Sequence, residues 1–275
     1  DVVRSRGLGD VYKRQITITG GVSVANLNTI AALSTGTVTP TVTDTAAATL
    51  KGITESGNNL TITVADTSVA AADISTIDAI TTGDVAVSAT TVTGTQAQIV
   101  AAYALNTAGT TTGLGNEAIT ISDNVNVTQA NAVNALTTGV VTGTISTGDM
   151  ATLDGLTETG HAYTVTVTDT TVAAANLITL DGKTTVSVDV TAATTLTGTL
   201  ANLTTVYGAA TITGLGAEAV TISDGTISVA EANTFAALTT GVVTATIATG
   251  TVAALNVLTE TANAYAVTVN DASLN

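Results

Sequence analysis

Apolar and polar residues alternate strictly from Tyr163 to Thr168, with Tyr163, Val165 and Val167 on one side and Thr164, Thr166 and Thr168 on the other. A period of two predicts a strand with one buried and one wet face. Asp169 breaks the alternation. Ala174, Leu177 and Leu180 then recur every third residue in an Ala-rich segment without Pro, which predicts a short helix. Asp is a preferred helix N-cap, because its carboxylate accepts from the free N–H groups of the first turn. The predicted unit is therefore a strand, a capping Asp, the helix that follows it, and a return containing Gly or Thr.

Strand-like alternation starts near Ile16, Val38, Leu60, Val85, Ala118, Val140, Tyr163, Val186, Ala219, Val242 and Tyr265. Successive starts lie 22 to 25 residues apart, except for two steps of 33. Such a period marks a solenoid in which each turn carries a strand and a second element. The long steps recur: GLGNEAITISD at 113–123 returns as GLGAEAVTISD at 214–224, and GVVTGTISTG at 139–148 returns as GVVTATIATG at 241–250. LTITVADTSVAAADI at 60–74 returns as YTVTVTDTTVAAANL at 163–177. Four coils thus form a superrepeat of about 102 residues, present about two and a half times.

The second element carries apolar residues at Val24, Leu27, Ile30 and Leu33, at Val127, Ala130, Val133 and Leu136, and at Val229, Ala232, Phe235 and Leu238. This spacing suits two or three turns of α- or 3₁₀-helix with a narrow buried stripe. The predicted fold class is an α/β solenoid of right-handed, leucine-rich-repeat-like coils of 22 to 33 residues, with one parallel β-sheet and a row of short helices. The alternatives are a right-handed parallel β-helix, which the helical spacing disfavours, and a β-sandwich array, which the lack of hairpin turn signals disfavours. Gly36, Gly83, Gly139 and Gly241 close the helical segments, where left-handed glycines are expected. The loops near Gly109–Gly115 and Gly208–Gly216 are the places where a coil exceeds the minimum.

Composition supports thin, repetitive cores: 64 of 275 residues are Thr, and the chain has only five Tyr, one Phe and no Trp. Without Cys there is neither a disulfide framework nor a thiolate metal site. No run of 18 apolar residues occurs, so no membrane insertion is expected. Four of the six basic residues, Arg4, Arg6, Lys13 and Arg14, fall in the first fifteen, whereas 19 of the 21 acidic residues follow them. Nucleic-acid binding is thereby excluded, since neutralising phosphates takes clustered Lys and Arg. The domain organisation expected is an unstructured segment at 1–15 and a single solenoid repeat domain at 16–275. No capping coil is recognisable at either end, so a fragment of a longer protein is expected.

Among candidate sites, Asp44, Asp66, Asp123, Asp169, Asp224 and Asp271 each follow a strand. Helix capping is the favoured reading, with calcium as the one cofactor considered and Asp123 and Asp224 as its candidates. Thr61, Thr63, Thr164, Thr166, Thr168, Thr244 and Thr246 fall on the predicted wet face as a Thr ladder, a candidate binding face for ice or glycan. The bland reading is that Thr is a good strand former. His161, the sole His, corresponds to Asn58 or Asn59 and to Asn263, so a hydrogen-bonding rather than catalytic role is expected. Glu55, Glu158 and Glu260 recur at helix ends as solvated residues, and Tyr103 and Tyr207 as plugs of the wider core in the long coils. No catalytic residue is assigned and no enzyme is expected. Polysaccharide-cleaving β-helices need a carboxylate cluster with Arg or Lys, and no Arg follows residue 14.

Asp44 to Leu50, DTAAATL, and the D-T-x-V-A-A-A-[DN]-[IL] runs at Asp66 to Ile74 and Asp169 to Leu177 resemble the DTAANL-type repeats of giant bacterial cell-surface proteins, adhesin-like and S-layer-related. The resemblance implies a secreted or cell-surface location and an extended, non-catalytic role as spacer or adhesive segment. It also implies, as partners, neighbouring repeats of the same long chain together with surface glycans or other cells. Separately, SRGLGDVYKRQ within residues 1–15 resembles translated sequencing-adapter read-through, and that segment is set aside from fold reasoning.

Overall fold

A computed structural model describes residues 18, 20–33, 36–259 and 261–271. The segment 1–15, the strand expected at Ile16 and the residue Glu260 lie outside the described residues. In chain order the elements begin with α1 (Val24–Leu33), α2 (Ala47–Leu50), β1 (Ile62–Val64), β2 (Ser68–Ala70), α3 (Ala71–Ile80), β3 (Val85–Val87), β4 (Thr91–Gly94), α4 (Gln96–Ala108), β5 (Thr111–Thr112) and β6 (Ala118–Val125). They continue with α5 (Val127–Asn134), β7 (Val141–Ile145), α6 (Met150–Leu153), β8 (Ala162–Thr166), β9 (Thr171–Ala173), α7 (Ala174–Asp181), β10 (Val188–Asp189) and β11 (Thr195–Gly198). The last are α8 (Leu200–Gly208), β12 (Ile212–Thr213), β13 (Ala219–Ile222), α9 (Val229–Ala236), β14 (Val243–Thr246), α10 (Val252–Leu255) and β15 (Ala264–Ala266). The chain divides into two compact units, residues 1–123 with 132–141 and residues 124–131 with 142–275.

This is an α/β fold in which the described strands form three parallel sheets, none closed into a barrel. In the first unit β3 lies between β1 and β5, with Ile62 beside Val85 and Val85 beside Thr111, and β4 lies between β2 and β6. In the second unit β8 pairs with β7 and β10, β10 with β12, and β11 with β9 and β13, which is followed by β14 and β15. The expectation of one sheet is corrected here. The alternation that builds β1 is followed, beyond Asp66, by one further cycle at Ser68–Ala70, with Val69 buried and Ser68 exposed. Three residues are too few for periodicity to register, and their Ala-rich context reads as helix. Between β8 and α7, Thr171–Ala173 does the same.

The buried faces follow the two predicted periods. Ile62 and Val64 are buried from β1, and Ala71, Ile74 and Ile77 from α3; Tyr163 and Val165 from β8 match Ala174, Leu177 and Leu180 from α7. Leu33 and Leu238, expected inward, are instead exposed, and Ala31 and Ala236 are buried in their neighbourhood. At 3.6 residues per turn a strict spacing of three drifts off the buried face, and a fourth-residue step restores it.

Three of the four glycines expected to be left-handed meet a different demand. Positive φ is found at Gly109, which ends α4, and not at Gly83, Gly139 or Gly241. A Cβ on Gly139 would lie 2.2 Å from the Glu117 carbonyl oxygen, and one on Gly241 would lie 2.1 Å from that of Glu218. Gly83 is similarly pressed against the Leu60 carbonyl. These glycines let the chain run against its own backbone 22 or 23 residues earlier.

Candidate functional site

The six recurrent Asp residues do cap helices, but not the helices that follow them. Asp44 accepts from Val24 N at the start of α1, Asp66 from Ala47 N of α2, and Asp123 from Gln96 N of α4, at 2.7 to 2.8 Å. Asp169 serves Met150 of α6, Asp224 serves Leu200 of α8, and Asp271 serves Val252 of α10. Each carboxylate thus reaches back 19 to 27 residues, to the first N–H of an earlier helix. A second acceptor often sits at the N-cap itself: Thr95, Asp149, Thr199, Ser228 and Thr251 each accept from the third helical N–H. At α4, α6, α8 and α10 two free donors of one helix end are therefore satisfied by two residues far apart in sequence. A cap of this kind is worth about 1 kcal/mol, and its charge favours the positive end of the helix dipole. At α3 and α7 the N-caps Ala70 and Ala173 make no side-chain cap bond. Gly94 and Gly198 come close to Ala71 and Ala174 there, at distances that leave little space for a side chain.

Asp123 and Asp224, the calcium candidates, are both committed in this way, and no group of three or more metal-ligating residues occurs among the described residues. A second recurrent bracket comes from Asn28, Asn131 and Asn233. Asn28 donates to Gly52 O and accepts from Thr54 N; Asn131 does the same with Gly155 and Thr157, and Asn233 with Val257 and Thr259. The sequence shows these residues as copies at steps of 103 and 102, but their role is visible only in three dimensions.

The segments around the two Gly-rich loops hold the most unusual chemistry. Glu117 and Glu218 are buried carboxyl groups. Tyr103 OH donates to Glu117 Oε2 at 2.8 Å, and Gly115 N donates to the same oxygen. Thr137 OH donates to the Glu117 carbonyl and accepts from Gly139 N. The second copy repeats every bond: Tyr207 OH and Gly216 N to Glu218 Oε2, Thr239 OH to Glu218 O, and Gly241 N to Thr239 Oγ1. Burial pushes both phenols well above the usual Tyr range, helped by the hydrogen bond to the carboxylate and by its charge. Both therefore stay protonated and donate. The expected plugging role of Tyr103 holds, since it is buried, whereas Tyr207 is half-buried. Sequence reasoning missed the two Glu residues, although they stand in the same place in GLGNEA and GLGAEA.

All seven residues of the candidate Thr face are exposed. They do not lie on one sheet in the second unit. Thr164 and Thr166 are on β8, beside Thr144 and Asp189, whereas Thr244 and Thr246 are on β14, beside Thr221 and Ala266. In the first unit Thr61 faces Thr41, and Thr63 faces Ala86.

His161 is buried and sits edge-on to Tyr163, with ring centroids 5.9 Å apart. Its sequence counterparts Asn58 and Asn263 accept from Val38 N and Val243 N. Burial lowers the His161 pKa, and the Glu158 charge acts weakly in the other direction. Glu55 and Glu158 are exposed, as expected. Among the described residues no helix is long and apolar enough to cross a membrane. Comparison of the chain with protein families, with curated proteins and with solved structures gives no match.

Proposed function

We propose that each unit is a run of stacked right-handed solenoid coils, and that the chain is a non-catalytic scaffold. In this reading it is a spacer or adhesive segment of a large secreted or cell-surface bacterial repeat protein, and its partners are neighbouring repeats, surface glycans or other cells. One observation carries the proposal. The polar side chains that recur most faithfully, namely the Asp caps, the Asn brackets and the Tyr–Glu pairs, make bonds to backbone or side chains inside the fold. What recurs is thus used to hold consecutive turns together, as a one-dimensional array requires. The DTAANL-like runs supply the link to bacterial surface proteins.

In-frame removal of residues 65–167 joins Val64 to Thr168 at matching positions of two superrepeats. A stacked array predicts that the shortened chain still folds and melts cooperatively, because every remaining turn keeps a neighbour of the same kind. Loss of cooperative melting in that variant would contradict the array.

The second reading, binding of ice or a glycan on the Thr face, is favoured by the exposure of all seven Thr residues. Thermal hysteresis that Thr164→Lys and Thr166→Lys abolish would establish it, and freezing behaviour equal to that of an inert protein would remove it.

A further inference from the structure

Two cavities stand at corresponding places in the first and third copies of the superrepeat. The first, of about 240 Å³, is lined by Ala31, Gly36, Thr37 and residues 55–58. The second, of about 390 Å³, includes Ala236, Gly241, Val242 and Asn263 in its lining. Ala31, Gly36, Thr37 and Asn58 map onto these four residues at one common shift of 205. Each cavity lies within one unit of the fold. Both are several times the share of one water, about 30 Å³, and fall near the lower end of small-ligand pockets. The second is present with the preceding segment in place, since a Cβ on Gly241 would meet the Glu218 carbonyl. The first is present with the following segment in place, since Thr81 OH donates to the Asn58 carbonyl at 3.0 Å.

The first cavity collects negative charge. Ala31 belongs to the last turn of α1, which carries no basic residue, and the C-terminal end of a helix bears a partial negative charge. Glu55 adds an exposed carboxylate at the rim. The ion pairs among the described residues lie elsewhere, joining Lys51 to Asp73 and Lys183 to Asp154. The Glu55 carboxylate and the Thr37 and Ser56 hydroxyls engage no partner among the described residues. Asn58 Oδ1 accepts from Val38 N at 3.0 Å, which leaves its amide nitrogen to donate. The other copies have Val140 and Val242 in place of Thr37, so that hydroxyl is particular to this copy. A carboxylate near a helix C-terminus is unfavourable alone, and a cation seated between the two offsets both.

We infer that the first cavity is a binding site for a small hydroxylated primary amine, an amino-sugar unit. Its ammonium sits between Glu55 and the C-terminal end of α1, and its hydroxyls meet Thr37, Ser56 and the Asn58 amide. Charge selects the amine, and the neutral polar groups select the hydroxyls beside it. The inference is independent of the spacer reading and of the Thr face, because the lining falls within residues 31–58 and none of it belongs to that face.

The test titrates the 275-residue chain with glucosamine, at a slightly acidic pH that keeps the amine protonated, and follows backbone amide shifts by NMR. Saturable shifts are expected at residues 37 and 55–58. Glucose, which lacks the charge, and methylamine, which lacks the hydroxyls, should each bind at least about fivefold more weakly. Glu55→Gln, at an exposed position, should keep the parent melting curve and weaken glucosamine binding about fivefold. Ala31→Asn/Asn58→His installs the residues that the middle copy carries, Asn134 and His161, and should abolish the shifts by filling the cavity. Equal binding of glucose would remove the carboxylate from recognition, and equal binding of methylamine would remove the hydroxyls; either overturns the inference. So does an unchanged affinity of Glu55→Gln, or shifts that fail to saturate or survive the double variant. Shifts centred on Thr164 and Thr166 would move sugar binding to the Thr face and overturn it as well.

Discussion

The Tyr103–Glu117 and Tyr207–Glu218 clusters share every hydrogen bond but not their surroundings. Around the first, Tyr103 is buried, and Glu117 Oε1 is buried without a hydrogen-bond partner among the described residues. Around the second, Tyr207 is half-buried and meets the edge of Phe235, centroids 5.5 Å apart at 89°. The residue corresponding to Phe235 in the earlier copy is Val133. The difference teaches that the Tyr, Glu, Gly and Thr set the path of the long loop, while the apolar filler beside it is interchangeable. It also predicts that the first cluster is the less forgiving, because its groups have no access to water if a partner is lost.

The largest test removes the carboxylates. Glu117→Ala should cost about 3 kcal/mol, since a phenol and a backbone N–H are left buried without an acceptor. Glu218→Ala should cost less, about 2 kcal/mol, because Tyr207 can turn toward solvent. Urea denaturation of both variants checks the order, and equal or reversed costs would break the contrast. Next, Phe235→Val should cost about 1.5 kcal/mol through lost burial and the lost aromatic contact, and leave the Tyr207–Glu218 bond intact. A loss as large as that of Glu218→Ala would mean that the filler, not the polar set, holds the second loop.

A smaller effect separates capped from uncapped helices. Asp66→Ala and Asp169→Ala should each cost about 1 kcal/mol, and hydrogen exchange should quicken at the earlier helix, α2 or α6, rather than at α3 or α7. Exchange confined to the later helix would refute the backward reach of these caps.

The smallest effect is a pH dependence confined to His161. Burial lowers its pKa in the fold, so the unfolded chain binds the proton more readily. Stability therefore falls as pH drops below the unfolded value of about 6.5. Asp149, Asp189 and Glu231 act in a lower window. Hydrogen bonds from Thr152, Thr191 and Ser228 lower their pKa values, so what they contribute is lost only as pH falls below about 4. His161→Asn, the residue found in the other two copies, should flatten the melting temperature between pH 7.5 and 5 without altering the lower transition. An unchanged slope would place the effect elsewhere.

Much of this fold was legible from periodicity. Alternation located β1, β3, β8 and β14, and the three-residue spacing located α1, α5, α7 and α9, because a side chain's direction repeats locally and needs no distant partner. The short strands β2 and β9 were not legible, because Ser68–Ala70 and Thr171–Ala173 complete a single cycle before a helix. Nor was the direction of the caps. Asp66 stands near the start of α3 in sequence and near the start of α2 in space, and only the three-dimensional course of the chain decides between them. Glu117 and Glu218 were visible as repeated letters. That a carboxylate there would be buried follows from the Tyr103 hydroxyl and the Gly115 amide converging on it, which no local pattern encodes.

The backward reach of the Asp caps has a consequence in time. While the chain is made or threaded through a pore from its N-terminus, the helix beginning at Ala47 cannot gain its carboxylate until Asp66 has emerged, and that beginning at Met150 must wait for Asp169. Each helix capped in this way is therefore sealed by a later segment of the chain. At these helices order should trail the emerging end by 19 residues, keeping the newest segment pliable while the capped helix behind it is already set.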